Sequence, residues 1–222
     1  QGGSAKPIHI SEWNIGLVPQ CSNEQYAEQR VQSFDSGILT LMQDPAQNIQ
    51  AAHFYAGMPI MALFDFSSAP GFARLNPSAW AFWAHGKLKG TASVQTQVCP
   101  QGNNCVMGYA AEGAALMAVA GQSGAAQSIV VTNDSNAAVT YTLQLDGLAT
   151  STVTATVSTP PSGTRDVSTA GNPAVADASA LAAMLATVTQ DVRSVLTVQA
   201  GQVQLTATVP AYTVQAVEVR AP

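Results

Sequence analysis

The sequence predicts an α/β portion followed by an all-β portion, and three observations carry that prediction. Strand-like and helix-like patterns alternate over residues 1–91, the order expected of a parallel sheet covered by helices. That same stretch holds all three tryptophans, all six phenylalanines and all three histidines. Residues 92–222 change character: they are rich in Thr, Val and Ala, in short alternating runs broken by turn signals, as in an antiparallel sandwich. The shift near Gly90 is read as a domain boundary, with 1–91 and 92–222 on either side.

Pro7 to Trp13 reads as a buried strand ending in polar residues. Ser22, Asn23, Glu24 and Gln25 fit a capping box, in which Ser22 accepts from the backbone and Gln25 reaches back. Ala27, Val31, Phe34, Ile38 and Leu41 then recur at helical spacing. They predict one apolar stripe on a helix of about five turns, stopped at Asp44-Pro45. Residues 49–55 form a second apolar strand. A loop with Gly57, Pro59, Pro70 and Gly71 follows, carrying a greasy insert at 58–66. Asn76-Pro77 supplies an N-cap and a first-position proline for a second helix, on which Trp80, Phe82, Trp83 and Leu88 ride.

In the all-β portion the expected strands are 93–98, 106–110, 114–120, 128–133, 138–145, 152–157, 202–209 and 213–219. Val139, Tyr141, Leu143 and Leu145 alternate cleanly with polar residues, so one face is apolar. Residues 133–136 read as a turn. Residues 160–173 read as loop, and 177–188 as a short helix inserted between strands.

Composition narrows the function. Of 222 residues, 47% are hydrophobic, enough for a core, while only 9% are charged, against roughly 25% in ordinary soluble proteins. A polar but mostly neutral surface is expected of exported bacterial β-rich proteins, so the expected location is secreted or periplasmic. The eight basic residues are scattered and the net charge is −5, which excludes a phosphate-neutralising stripe and with it nucleic-acid binding. No apolar run reaches the roughly 18 residues that cross a bilayer, so no membrane span is expected. No signal peptide is read, and the chain opens with Gln1 rather than Met. Cys99 and Cys105 bracket a polar loop at a spacing that suits a small disulfide between strands, leaving Cys21 over. The alternative is three buried thiols. No Cys or His pair has zinc-ligand spacing, and no metal or other cofactor is implied.

Glu12 is the leading catalytic candidate. It follows a buried strand directly and is flanked by Trp13 and Asn14. At the C-terminal end of a parallel barrel strand, a carboxylate faces the active site. Trp13 and Tyr55 offer flat faces for a pyranose or ordinary core and rim packing, Asn14 an amide for the substrate or for capping a turn, and His53 an imidazole for the barrel mouth or, more in keeping with a strand interior, a satisfied place in the core.

The segment Ile8-His9-Ile10-Ser11-Glu12-Trp13-Asn14 resembles the seventh-strand motif of clan A glycoside hydrolases, particularly family 39 with its xylosidases and arabinofuranosidases. Asn76-Pro77-Ser78-Ala79-Trp80 is similar to the start of that family's last helix. Residues 128–133 with 139–145, and Pro210 to Val214, resemble the family's C-terminal sandwich. The resemblance implies the last two βα units of a (β/α)₈ TIM barrel followed by an antiparallel β-sandwich. It implies a retaining β-glycosidase working by double displacement on an oligo- or polysaccharide. Glu12 would be the nucleophile, and the acid/base Glu would come from the fourth strand, which this chain does not contain. Glu24, Glu28, Asp35 and Asp44 are read as lying on or beside a solvated helix, and Asp65 in a loop, so none is taken as that acid.

Two strands cannot close a barrel, because parallel strands need neighbours on both edges and cover on both faces. The expected partners are therefore a carbohydrate substrate and an N-terminal fragment or chain of the same enzyme. A competing function from another class is a non-catalytic carbohydrate-binding or adhesion module built on the sandwich; a surface-layer protein is a third.

Overall fold

The computed structural model describes residues 6–14, 28–56, 61–65, 72–100, 104–110, 115–168 and 183–221. The expected capping box at Ser22 to Gln25 and the expected unpaired Cys21 lie outside the described residues.

The α/β portion follows the predicted order. Strand β1 (Ile8–Trp13) is followed by helix α1 (Arg30–Leu41), strand β2 (Ile49–Phe54) and, further on, helix α2 (Pro77–Gly86). β1 and β2 pair in parallel as a two-stranded sheet. Asn76 holds extended backbone before Pro77, as an N-cap followed by proline requires, and its side-chain amide donates to the Ala62 carbonyl (2.7 Å). Two short strands escaped the sequence reading: β3 (Phe64–Asp65), inside the apolar insert, and β4 (Phe72–Leu75), inside the expected loop.

The all-β portion opens with β5 (Ala92–Val94), β6 (Gln97–Val98) and β7 (Val106–Met107). Cys99 and Cys105 close a disulfide at the tip of the β6–β7 ribbon, as their spacing suggested. Then come β8 (Leu116–Ser123), β9 (Ala126–Asn133), β10 (Val139–Leu145), β11 (Thr152–Thr159), β12 (Arg165–Ser168), β13 (Gln190–Thr197), β14 (Val203–Val209) and β15 (Thr213–Arg220). A two-residue hairpin joins β8 to β9, with Gly124 at φ +58°, the left-handed backbone that such a turn demands. The main sheet runs β13-β11-β15-β9-β8-β5, and β10-β14 stacks on it as the second layer.

Two strands depart from expectation. β12 lies in the segment read as loop, where it pairs antiparallel with β4 and so ties the all-β portion to the α/β portion. β13 falls where no strand was expected. As an exposed edge strand it leaves Val192 and Val195 64% and 74% exposed, so its sequence lacks the burial pattern that marks the inner strands. Of the helix expected over 177–188, residues 183–186 form a helical turn; 169–182 lie outside the described residues.

The main sheet is covered on both faces. One face packs Ile129, Val131, Val157, Val217 and Val219 against Leu145, Val203 and Leu205 of the second layer. The other packs Val119, Val130, Val214 and Ala216 against Trp80 and Ala84 of α2. Trp80 is fully buried at the junction and meets Trp83 edge to face at 5.7 Å.

Helix α1 corrects the expected apolar stripe. Its buried residues are Val31, Gln32, Ser33, Asp35, Ser36, Gly37 and Thr40, while Phe34 stays 38% exposed and Ile38 and Leu41 are half-buried. The helix turns its polar side inward because that side is hydrogen-bonded to the sandwich. The Val214 N–H donates to Gln32 (3.0 Å), Ser33 donates to Asp134 (2.8 Å), and Ser36 bonds both Thr132 (2.6 Å) and His85 (3.1 Å). Val214 and Thr132 are buried, so these bonds satisfy groups that would otherwise lose their partners.

Candidate active site

The geometry of the site begins with an irregularity in β1. Ile10 pairs with Ala52 and Trp13 with Phe54, so Ser11 and Glu12 together stand opposite the single residue His53. Two residues against one is a β-bulge, which bends the strand and re-aims a side chain, and bulges concentrate beside active sites. Glu12 and His53 are both exposed. The bulge thus presents a carboxylate and an imidazole on adjacent strands at their C-terminal ends.

The residues just past the bulge are fixed. The Tyr55 N–H donates to the Trp13 carbonyl at 2.8 Å. The Asn14 amide donates to the Tyr55 carbonyl at 2.6 Å and to the Met61 carbonyl at 3.3 Å. Trp13 packs edge to face on Phe54 (5.1 Å) and stacks on Phe82 of α2 (5.9 Å), and Phe54 and Phe82 themselves meet at 4.9 Å. This three-ring cluster anchors the strand ends to α2, and aromatic pairs of this kind each add about 0.5–1.5 kcal/mol beyond their burial. Trp13 and Tyr55 are half-buried.

Glu12, Trp13, Asn14, His53 and Tyr55, all named from the sequence, therefore gather at one end of the parallel pair. Glu12 makes no ion pair among the described residues. No group of three or more His, Cys, Asp or Glu that could hold a metal ion occurs among the described residues.

Of the carboxylates set aside in the sequence, Glu28 and Asp44 are exposed or partly so, as expected. Two are not. Asp65, read as a loop residue, belongs to β3 and is only 7% exposed. Asp35, read as solvated, is wholly buried between α1 and the start of α2. Burial pushes its pKa up to about 7, and the nearby Ser78 hydroxyl pulls it back only in part. His85, buried beside Ser36, is pushed down to about 4 by the same loss of solvation. Sequence reasoning missed this buried polar layer because the apolar residues of α1 were assumed to mark its inner face.

A further hollow among the described residues lies elsewhere. About 710 Å³ opens beside α2 over β11, β13 and β15, lined by Trp83, Lys87, Thr156, Arg193, Glu218 and Arg220 among others. Burial works to raise Glu218, but bonds from Lys87 (3.1 Å) and Arg220 (2.8 Å) outweigh it and hold its pKa below the usual value. No candidate residue named from the sequence lines this hollow.

No protein-family model matches the chain, and no curated protein sequence matches it. Solved structures do. The chain is similar to a GH51 α-L-arabinofuranosidase from Thermotoga petrophila, with 16% identity and a TM-score of 0.56 over 96% of this chain and 43% of that one. It is similar to a GH39 enzyme from Xanthomonas axonopodis pv. citri, with 12% identity and a TM-score of 0.57 over 97% and 45%. A glycoside hydrolase family 30 subfamily 8 xylanase from Clostridium acetobutylicum gives 13% and 0.54 over 97% and 43%. At these identities the likeness is one of fold alone, shared with solved glycoside hydrolases of several families, family 39 among them but not singled out. The chain spans less than half the length of each of these structures.

Proposed function

We propose that this chain is the C-terminal part of a retaining glycoside hydrolase whose nucleophile is Glu12. The observation that carries the proposal is the bulge that projects Glu12 from the C-terminal end of a parallel strand, in a fold shared with glycoside hydrolases of several families. In a retaining enzyme two carboxyl groups flank the scissile bond about 5–5.5 Å apart. One protonates the leaving oxygen, while the other attacks the anomeric carbon and forms a glycosyl-enzyme that water then hydrolyses. Glu12, exposed and free of ion pairs among the described residues, suits the attacking role. Trp13 and Tyr55 would border the sugar and His53 would stand beside it.

The acid/base belongs to polypeptide outside this chain. Two features among the described residues support that. The parallel pair β1–β2 has no further strand on either edge there, and Ile8 is 47% exposed. Phe34 of α1 is 38% exposed. The remaining units of the barrel would cover both. The Cys99–Cys105 disulfide supports a place outside the cytoplasm.

The test is Glu12→Gln in the intact enzyme, assayed on aryl β-xylosides and α-L-arabinofuranosides and on xylan. Turnover on whichever substrate the wild type cleaves should fall at least about a thousandfold, the scale on which removal of a catalytic nucleophile acts, with glycan binding retained. Wild-type turnover by the variant would refute the assignment. Binding without turnover in the wild type would favour a binding module instead.

A further inference from the structure

We infer that Asn14 is a positioning residue for the nucleophile: it locks the bulge that aims Glu12 rather than touching the sugar. The inference rests on the reading of Glu12 given above. A bulge interrupts the hydrogen-bond ladder, so the strand is least constrained where Ser11 and Glu12 face His53. A slip of one residue there would turn the carboxylate to the opposite face of the sheet. Something immediately beyond Glu12 must therefore pin β1 against β2.

Asn14 does so with a single group. Its Nδ2 carries two hydrogens and stands within reach of two backbone carbonyls, that of Tyr55 just past the end of β2 and that of Met61. With the Tyr55 N–H donating to the Trp13 carbonyl, donors run in both directions between the strand ends. The sequence suggested Asn14 as a substrate ligand, but its donor hydrogens are already spent on the backbone. The chemistry also specifies the residue. Aspartate has the same shape but only acceptors, which would face two carbonyl oxygens. Serine brings one donor, and alanine none.

The effect should appear in rate rather than in binding, because the sugar is held by other groups while the attacking oxygen loses its line of approach. In the intact enzyme, Asn14→Asp and Asn14→Ala are expected to lower kcat about 10- to 100-fold, the cost of a misplacement on the order of 1 Å. KM should stay within about twofold, since ground-state binding is not what the residue supplies. The rate of covalent trapping by an activated 2-deoxy-2-fluoro glycoside should fall in parallel with kcat, while the melting temperature stays near that of the wild type. Asn14→Gln, which keeps both donors one methylene farther out, should recover part of kcat. It also provides the comparison with Asn14→Ala if the aspartate variant does not fold.

Full turnover by Asn14→Asp would overturn the inference. So would a loss expressed in KM, which would make Asn14 a sugar ligand, or a loss that tracks melting temperature through all three variants. Glu12→Gln separates the two levels. If it retains turnover, the nucleophile assignment fails. If it is inactive while the Asn14 variants are unimpaired, only the present inference fails.

Discussion

The residue with the most to say about stability is Asp35. Its carboxylate sits wholly buried where α1 meets the start of α2, with a pKa of about 7. An acid whose folded pKa lies above its unfolded value of 3.8 binds its proton more tightly in the folded state. Its contribution is therefore intact below about pH 4, and stability is lost as pH rises toward 7. His85 acts with the opposite sign. Its pKa of about 4 lies below the ordinary 6.5, so the unfolded chain holds more protons between those values and stability rises with pH across that window. The two slopes largely cancel between pH 4 and 6.5, leaving Asp35 alone just above. Asn in place of Asp35 keeps the shape and removes the titration. The melting temperature of Asp35→Asn should match the wild type near pH 4 and exceed it increasingly up to pH 7. Once Asp35 is ionised in both states, the difference in unfolding free energy should level off at about 4 kcal/mol, since about three tenfold steps in proton affinity, each worth about 1.4 kcal/mol, separate 3.8 from 7. A difference that does not change between pH 4 and 8 would mean that Asp35 is solvated after all.

At the scale of elements, regular periodicity was legible and position in the fold was not. The alternation of Val139, Tyr141, Leu143 and Leu145 marks β10, and Asn133 forms the expected turn, accepting from Ser135 N–H at 3.0 Å. Pro7 to Trp13 and residues 49–55 mark β1 and β2, and Asn76-Pro77 marks α2. β12 and β13 were missed because strands on the periphery bury little, and periodicity reports burial rather than hydrogen bonding. For α1 the apolar residues were assumed to mark the buried face, but of those described only Val31 is buried and Phe34 is exposed, since a sequence shows which residues are apolar and not which side the neighbouring layer occupies. Glycines tell a related story. At Gly108, whose N–H donates to the Thr96 carbonyl, a Cβ would stand 2.0 Å from the Ala118 oxygen, part of the backbone of β8. Backbone cannot move aside as a side chain can, so Gly108→Ala should cost about 1–3 kcal/mol, the usual scale of overpacking. Gly86→Ala, with nothing within 4 Å of the new atom at the end of α2, serves as the control. It should be neutral or slightly stabilising on helix propensity alone. Urea unfolding of the two variants decides the matter, and equal midpoints would remove the argument from close approach.

Across the whole molecule, stability should be unevenly shared, because the two portions differ in how completely their strands are covered. β9 and β15 lie inside the main sheet, hydrogen-bonded on both sides and packed on both faces, by the second layer and by α2. Among the described residues β1 and β2 pair only with each other, in a parallel arrangement that elsewhere is found buried, and their ends carry exposed Glu12 and His53. Two-stranded sheets are marginal by themselves. The candidate residues form a local cluster in the sequence, whereas the open edges of β1–β2 among the described residues and the exposure of Phe34 on α1 are visible only in the fold. Native-state hydrogen exchange measures this directly. In the 222-residue chain the amides of Val130 and Val217 should exchange only through global unfolding. The ladder amides of β1 and β2 should exchange faster by at least about a hundredfold, which corresponds to an opening free energy lower by about 2.7 kcal/mol. In an enzyme that carries the other barrel strands, the same β1 and β2 amides should slow toward the protection of the sandwich, while those of β9 and β15 change little. Equal protection of both sheets in the shorter chain would show that the parallel pair sustains itself, and the requirement for further strands beside Glu12 would fall with it.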